Sequence, residues 1–121
     1  MKIQYLEQIG GDGMARKKLE TLTEQMYYVL LSLAAGPRHG YGVMQYASEL
    51  TGGRIRIGAG TLYALLDRFE SERLIAFAGA REGRRYYQLT EDGRRMLDRE
   101  YDRLRRQAAD WELVLGKEGT T

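Results

Sequence analysis

No cysteine occurs anywhere in the 121 residues. That excludes a disulfide framework, cysteine-ligated zinc and thiol catalysis together. Histidine occurs once, at His39, so neither a histidine metal site nor a catalytic dyad is predicted. No apolar run approaches the roughly 18 residues of a membrane span. The opening segment MKIQYLEQIGGDG also lacks the apolar stretch of a signal peptide. General acid–base chemistry needs paired groups in a pocket, and the acids here are scattered among arginines at helical spacing. The expectation is a soluble cytoplasmic protein that is not an enzyme, uses no cofactor or metal, and has no membrane partner.

Apolar residues at 43% and charged residues at 30% fit one globular domain with a real core. Proline occurs once against 15 glycines, and arginine far outnumbers lysine. The net charge of +2 says little. The distribution says more, because Arg81, Arg84 and Arg85 form a tight basic group. Such a group is either a solvated face or a contact for phosphate.

Residues 1–22 are read as an N-terminal extension, with Ile3, Leu6 and Ile9 on a short helix that Gly10, Gly11 and Gly13 would end. The first clear helix begins near Thr21 or Thr23, where Thr21-x-x-Glu24 has capping-box spacing. Met26, Val29, Leu30 and Leu33 mark one face, and Tyr27, Tyr28 and Leu31 make the other apolar too, as if covered by another chain. Gly36-Pro37 stops it, with the glycine as a left-handed cap. A second helix runs from about His39 to Leu50, burying Val43, Met44, Ala47 and Leu50. Its opening histidine is read as a cap or a packed side chain. Gly52-Gly53 ends it, and Arg54-Ile55-Arg56-Ile57 alternates like a very short strand.

Gly58-Ala59-Gly60 leads into a third helix that buries Leu62, Leu65, Leu66 and Phe69. Thr61, Tyr63, Ala64, Asp67 and Arg68 lie opposite. Leu74 to Ala78 and Arg84 to Leu89 read as a hairpin whose turn is Gly79 to Gly83. Thr90 caps the last helix, with Glu91 and Asp92 in its first turn. Leu97, Tyr101, Leu104, Ala108, Trp111 and Leu115 then form a heptad seam suited to a dimer.

Three helices followed by a two-stranded wing predict a mainly α fold with a small β-hairpin: a winged helix-turn-helix domain plus a C-terminal dimerisation helix. The boundaries are 1–22 for the extension, 23–90 for the winged domain, 91–116 for the dimerisation helix and 117–121 for a tail. In the third helix, Thr61 and Tyr63 suit phosphate oxygens and base edges, with Arg68 further along. The alternative is that Gly58 and Gly60 only make a tight turn and Tyr63 packs on a neighbouring helix. Tyr41 either contacts phosphate or fills space under the first helix. Arg81, Arg84 and Arg85 on a wing are placed for the DNA backbone or minor groove, or simply protect an edge hairpin. Trp111 is either a large residue between two chains or a flat wall for a planar ligand, with Ala108 leaving room.

Three blocks, His39-Gly40-Tyr41-Gly42, Gly60-Thr61-Leu62-Tyr63 and Arg85-Tyr86-Tyr87-Gln88-Leu89-Thr90-Glu91-Asp92-Gly93, resemble the signatures of PadR-type transcriptional regulators. The resemblance spans roughly residues 22–115. It implies a bacterial, homodimeric winged-helix repressor on a pseudo-palindromic operator in double-stranded DNA, with the C-terminal helix carrying dimerisation. A single C-terminal helix looks like the short subfamily, some members of which bind flat aromatic or cationic compounds between subunits. By that resemblance Tyr41, Thr61 and Tyr63 contact DNA, the wing arginines lie on its backbone, and Trp111 takes the aromatic position of an effector pocket. Two positions depart from the pattern. Ala64 stands where many members have proline. Arg73 stands where a glycine often precedes the first wing strand, so that helix end is expected to lack a left-handed cap. The competing function is a winged-helix module for protein–protein contact without DNA binding.

Overall fold

A computed structural model of the chain describes residues 19–116. The helix expected around Ile3 to Ile9, its terminating glycines and the tail lie outside the described residues. Helix α1 (Glu24–Ala34) starts from Thr23, whose hydroxyl accepts the Met26 N–H at 3.2 Å. Thr21 is therefore not the cap, because Thr23 occupies the position directly before the first helical residue. The buried face is Val29, Leu30, Ser32 and Leu33. Ser32 is tolerated there because its hydroxyl donates to the Val29 carbonyl at 2.8 Å. The helix does not end on a left-handed glycine: Ala35 stays right-handed and Gly36 turns the chain at φ 151°.

A two-residue strand, β1 (Arg38–His39), leads directly into α2 (Gly40–Leu50). Val43 and Ala47 are buried as expected, but Leu50 is exposed. A helical stripe is buried only as far as the layer beneath it extends, and Leu50 is the helix's final residue. Residues Arg54 to Ile57 form no strand. Their alternation is real, since Ile55 and Ile57 are buried while Arg54 and Arg56 are exposed, yet no neighbouring backbone pairs with them.

Helix α3 (Ala59–Ser71) buries Leu62, Leu66 and Phe69. Its C-terminus corrects the expectation about Arg73, which adopts the left-handed conformation at φ 64° without being glycine. The Leu74 N–H reaches the Phe69 carbonyl at 2.9 Å and the Arg73 N–H reaches Glu70 at 3.0 Å, the two bonds of a Schellman cap. Leu74 and Phe69 both join the core, which holds the cap in place. The left-handed conformation costs a side-chain-bearing residue about 1–2 kcal/mol, partly offset by glycine's freedom in the unfolded chain. Arg73→Gly is therefore expected to raise stability by about 0.5–1 kcal/mol in urea denaturation.

The wing is β2 (Ile75–Arg81) and β3 (Arg84–Leu89), antiparallel, and β1 pairs with the far side of β3 to give the order β1-β3-β2. Its turn is only Glu82-Gly83, both at positive φ, closing the Arg81–Arg84 pair. Gly79, expected in the turn, instead sits at an irregularity between Phe77 and Ala80, where the strand carries an extra residue at φ 105°. Thr90 joins the layers: its hydroxyl accepts the Gly93 N–H and donates to the Arg73 carbonyl at 2.7 Å. Helix α4 (Glu91–Leu115) follows, and only Gly93, Met96, Leu97 and Glu100 of it are buried. Leu97 thus belongs to this chain's own core. Among the described residues, no helix is long and apolar enough to cross a membrane.

Candidate nucleic-acid interface

The start of α2, the first turns of α3 and the tip of the wing enclose an open cleft of about 450 Å³. His39, Tyr41, Tyr63, Arg84, Arg85 and Tyr87 border it. Four of these come from the residues singled out in the sequence, widely separated along the chain. Tyr41 and Tyr63 are half exposed, and neither hydroxyl makes a hydrogen bond among the described residues. Tyr63 takes its position from Gly40: a Cβ there would lie 2.7 Å from the Tyr63 hydroxyl and 2.8 Å from its ring. The tyrosine therefore packs on a neighbouring helix and still borders the cleft.

Period-two geometry separates the adjacent wing arginines. Arg85 is held on the side of α3, donating to Glu70 and to the Tyr87 hydroxyl at 3.2 Å each and stacking on Phe77 at 4.4 Å. That ties the wing to the third helix. Arg84 approaches His39 Nε2 at 3.1 Å, and Arg81 lies 4.6 Å above the Tyr86 ring. Neither Arg81 nor Arg84 has a carboxylate partner among the described residues. Arg68 lies elsewhere: its guanidinium is bonded to Glu72 at 2.8 Å, and it does not border the cleft. Three of the six arginines of α4 are likewise engaged, Arg94 with Asp98, Arg95 with Glu91 and Asp92, and Arg103 with Glu100. Among the described residues, cationic charge without an acidic partner is found at the wing tip in Arg81 and Arg84, beside the cleft or next to it, and also on α4 in Arg99, Arg105 and Arg106.

The glycines leading into α3 have a different character from Gly40. Neither Gly58 nor Gly60 has positive φ, and an added Cβ at either would meet nothing within 4 Å. A tight turn therefore does not require them. What their small size provides is bare backbone beside the exposed Thr61, at a helix N-terminus where an anion is favoured. Gly60→Ala is expected to leave thermal stability unchanged or slightly raised, because alanine is the better helix former. Duplex binding should weaken about tenfold in fluorescence anisotropy, a loss of about 1.4 kcal/mol. Equal affinity would mean that Gly60 takes no part in duplex binding.

A second recess of about 280 Å³ lies between α1 and α4, bordered by Leu22, Tyr27, Tyr28, Glu100, Arg103 and Leu104. Burial, then Tyr28 and Glu100, push the Tyr27 phenol above its ordinary range, so it stays protonated. Glu100 is buried, accepting the Leu22 N–H at 3.4 Å and pairing with Arg103. Beyond it the outer half of α4 is bare: Tyr101, Leu104, Ala108, Trp111 and Leu115 are all exposed, Trp111 by 56%.

Sequence reasoning missed His39, Tyr86, Gly40 and Glu70 as parts of this arrangement. Tyr86 was readable from β3, since alternation puts it on the face of Arg84. Gly40 and Glu70 act through tertiary contacts that leave no local signal.

Comparison with known proteins gives the same architecture. A structure of a PadR family transcription regulator from Clostridium difficile R20291 has a TM-score of 0.63 at 25% identity, covering 74% of this chain and 96% of that one. Bacillus subtilis PadR in complex with operator DNA has a TM-score of 0.55 at 25% identity, covering 63% of this chain and 45% of that one. A curated relative, an uncharacterized 37.1 kDa protein in transposon TN4556 of Streptomyces fradiae, is 38% identical over 72 residues, which are 60% of this chain. This chain spans only 20% of that relative's length. The model of the transcriptional regulator PadR-like family matches residues 29–99, from inside α1 to the first turns of α4. With the winged fold and more than half of its length matched, the chain belongs to the PadR-like family of transcriptional regulators.

Proposed function

We propose that the protein is a homodimeric repressor that binds a pseudo-palindromic operator in double-stranded DNA and responds to a small ligand. The observation that carries the DNA reading is the cleft, where exposed phenols converge with Arg84, a wing arginine without an acidic partner among the described residues, beside a bare helix N-terminus. Tyr41, Tyr63, Arg84 and Arg81 face the duplex, with Thr61 at the start of α3. Arg85 contributes by fixing the wing against Glu70 and by bordering the same cleft. The family membership supports the reading, and so does the likeness to a PadR bound to operator DNA. Residues 23–90 form the DNA-binding part, together with the buried first turns of α4.

Dimerisation rests on the outer part of α4. Tyr101, Leu104, Ala108, Trp111 and Leu115 repeat at heptad spacing and stand in solvent, which an isolated amphipathic helix does not favour. Two copies facing each other place Trp111 and the small Ala108 at the dimer centre, where a planar aromatic effector stacks.

Retention of a fragment from the region upstream of its own gene, in a gel-shift series, tests the DNA reading. A dimer by sedimentation that retains no duplex would favour the protein–protein module instead. Trp111 is the sole tryptophan, so its fluorescence reports the effector. Quenching by planar aromatic compounds is expected, and none across a broad panel would leave Trp111 as interface packing only.

A further inference from the structure

His39 has two jobs that no single protonation state performs. Its Nδ1 accepts the Gly42 N–H at 3.0 Å, which caps α2. A nitrogen that accepts cannot carry a proton, so the cap excludes both the Nδ1–H tautomer and the imidazolium. The proton therefore sits on Nε2. Yet Nε2 lies 3.1 Å from Arg84 Nη1, and every nitrogen of a guanidinium is a donor. Two donors face each other across a hydrogen-bond distance. Reversing the tautomer would satisfy Arg84 and set Nδ1–H against the Gly42 N–H instead.

The ring is not free to turn away from this conflict. Tyr86 abuts it edge-on at 5.1 Å, and Tyr41 stacks near-parallel at 6.5 Å and 13°. His39 and Arg84 both border the cleft, as do Tyr41 and Tyr63. Among the described residues no carboxylate is bonded to either His39 or Arg84. What resolves the conflict is an acceptor from outside that takes both N–H groups at once.

We propose that His39 is itself a phosphate-binding residue, its Nε2–H and the Arg84 guanidinium donating together to one backbone phosphate oxygen of the duplex. The helix cap is the device that keeps the donor proton on Nε2. This rests on the DNA reading above and adds to it a neutral hydrogen-bond donor beside the cationic wing. The same two donors would also accept a free phosphate ion, so the test separates the two sources.

Because the chain has one histidine, protein labelled with ¹⁵N in histidine alone gives a single imidazole signature. The free protein should show Nδ1 unprotonated and Nε2 protonated. Adding a duplex from the upstream region should shift the Nε2–H resonances and leave Nδ1 an acceptor. Inorganic phosphate alone should produce that shift only at far higher concentration. Saturation by micromolar inorganic phosphate would overturn the assignment to DNA and make this a free-anion site.

His39→Asn supplies the second arm, because asparagine is among the best helix N-caps yet cannot extend a donor to the Nε2 position. It should keep the melting temperature and bind the duplex about tenfold more weakly, close to the lower end of the range for a lost hydrogen bond to a charged group. Its salt dependence should match the wild type, since a neutral donor releases no counterion. Wild-type protein that binds duplex while the imidazole signals stay still would overturn this proposal and leave the DNA reading intact. So would a protonated Nδ1 in the complex, or a stable His39→Asn protein of unchanged affinity. Wild-type protein that retains no duplex would overturn both.

Discussion

Leu104→Glu is expected to turn the protein into a monomer and to weaken operator binding by at least about a hundredfold. Leu104 lies between Tyr101 and Trp111 on the bare stripe of α4, and its neighbours on that stripe are apolar. In a two-fold dimer each substitution occurs twice. Burying an unpaired carboxylate in such a seam costs several kcal/mol, and Glu100, one turn before it, already places one buried negative charge nearby. A monomer then meets each half-site alone and loses the effective concentration that links the two, a factor of about 10²–10⁴. Sedimentation velocity and anisotropy on the same samples read both effects. Leu113→Glu is the control, because Leu113 is exposed by 66% but lies off the heptad positions. It should remain dimeric. A dimeric Leu104→Glu protein would move the interface elsewhere.

Gly93→Ala is expected to be the most damaging single methyl in the fold. A Cβ at Gly93 would stand 2.2 Å from the Leu74 carbonyl oxygen and 2.6 Å from Leu89. The carbonyl cannot swing aside, since it accepts the Thr90 N–H at 3.1 Å and belongs to the segment that starts the wing. Relief requires α4 to lift from the base of the hairpin, which loosens Met96 and Leu97 in the core. Overpacking of this kind costs about 1–3 kcal/mol, and a backbone oxygen at this distance lies at the upper end. Alanine's better helix propensity returns less than about 1 kcal/mol. The net loss of about 2 kcal/mol should lower the melting temperature by roughly 10 °C in calorimetry. An unchanged melting temperature would mean that α4 does not press on the wing as described.

Gly93 also shows what the chain states locally and what it does not. The sequence placed Thr90 as a cap and Glu91-Asp92 as a first turn, and both stand as expected, because capping is chemistry between residues three apart. It could not show why the next residue is glycine, since the nearest obstructing atom is the carbonyl oxygen of Leu74, 19 positions earlier, brought there by the fold. The same boundary runs through the other corrections. Ile55 and Ile57 announced burial by alternating, but alternation carries no information about a pairing partner, and the third strand formed at Arg38–His39 instead. The heptad from Leu97 to Leu115 is one stripe by periodicity, yet its first member is sealed in the chain's own core while the rest lies bare. Period alone does not say whose core a stripe joins. Arg73 became left-handed because Leu74 and Phe69 hold it there, against its own preference.

Among the arginines the division matters most for function. Arg68 and Arg84 look equivalent as exposed cations near a helix face or a turn. The fold gives one of them Glu72 at 2.8 Å and the other only a histidine donor. Which cations keep their charge unopposed is decided by tertiary neighbours, and composition cannot count them.

DNA contact through the wing is tested most directly by the salt dependence of duplex binding in three proteins: wild type, Arg84→Ala and Arg94→Ala. Arg94 is as exposed as a wing arginine but is paired with Asp98 along α4. Each phosphate contact contributes about 0.9 to the slope of log K against log salt. Arg84→Ala should therefore flatten the slope by about one unit, with Arg94→Ala indistinguishable from wild type. Equal slopes for all three proteins would contradict a duplex lying on the wing.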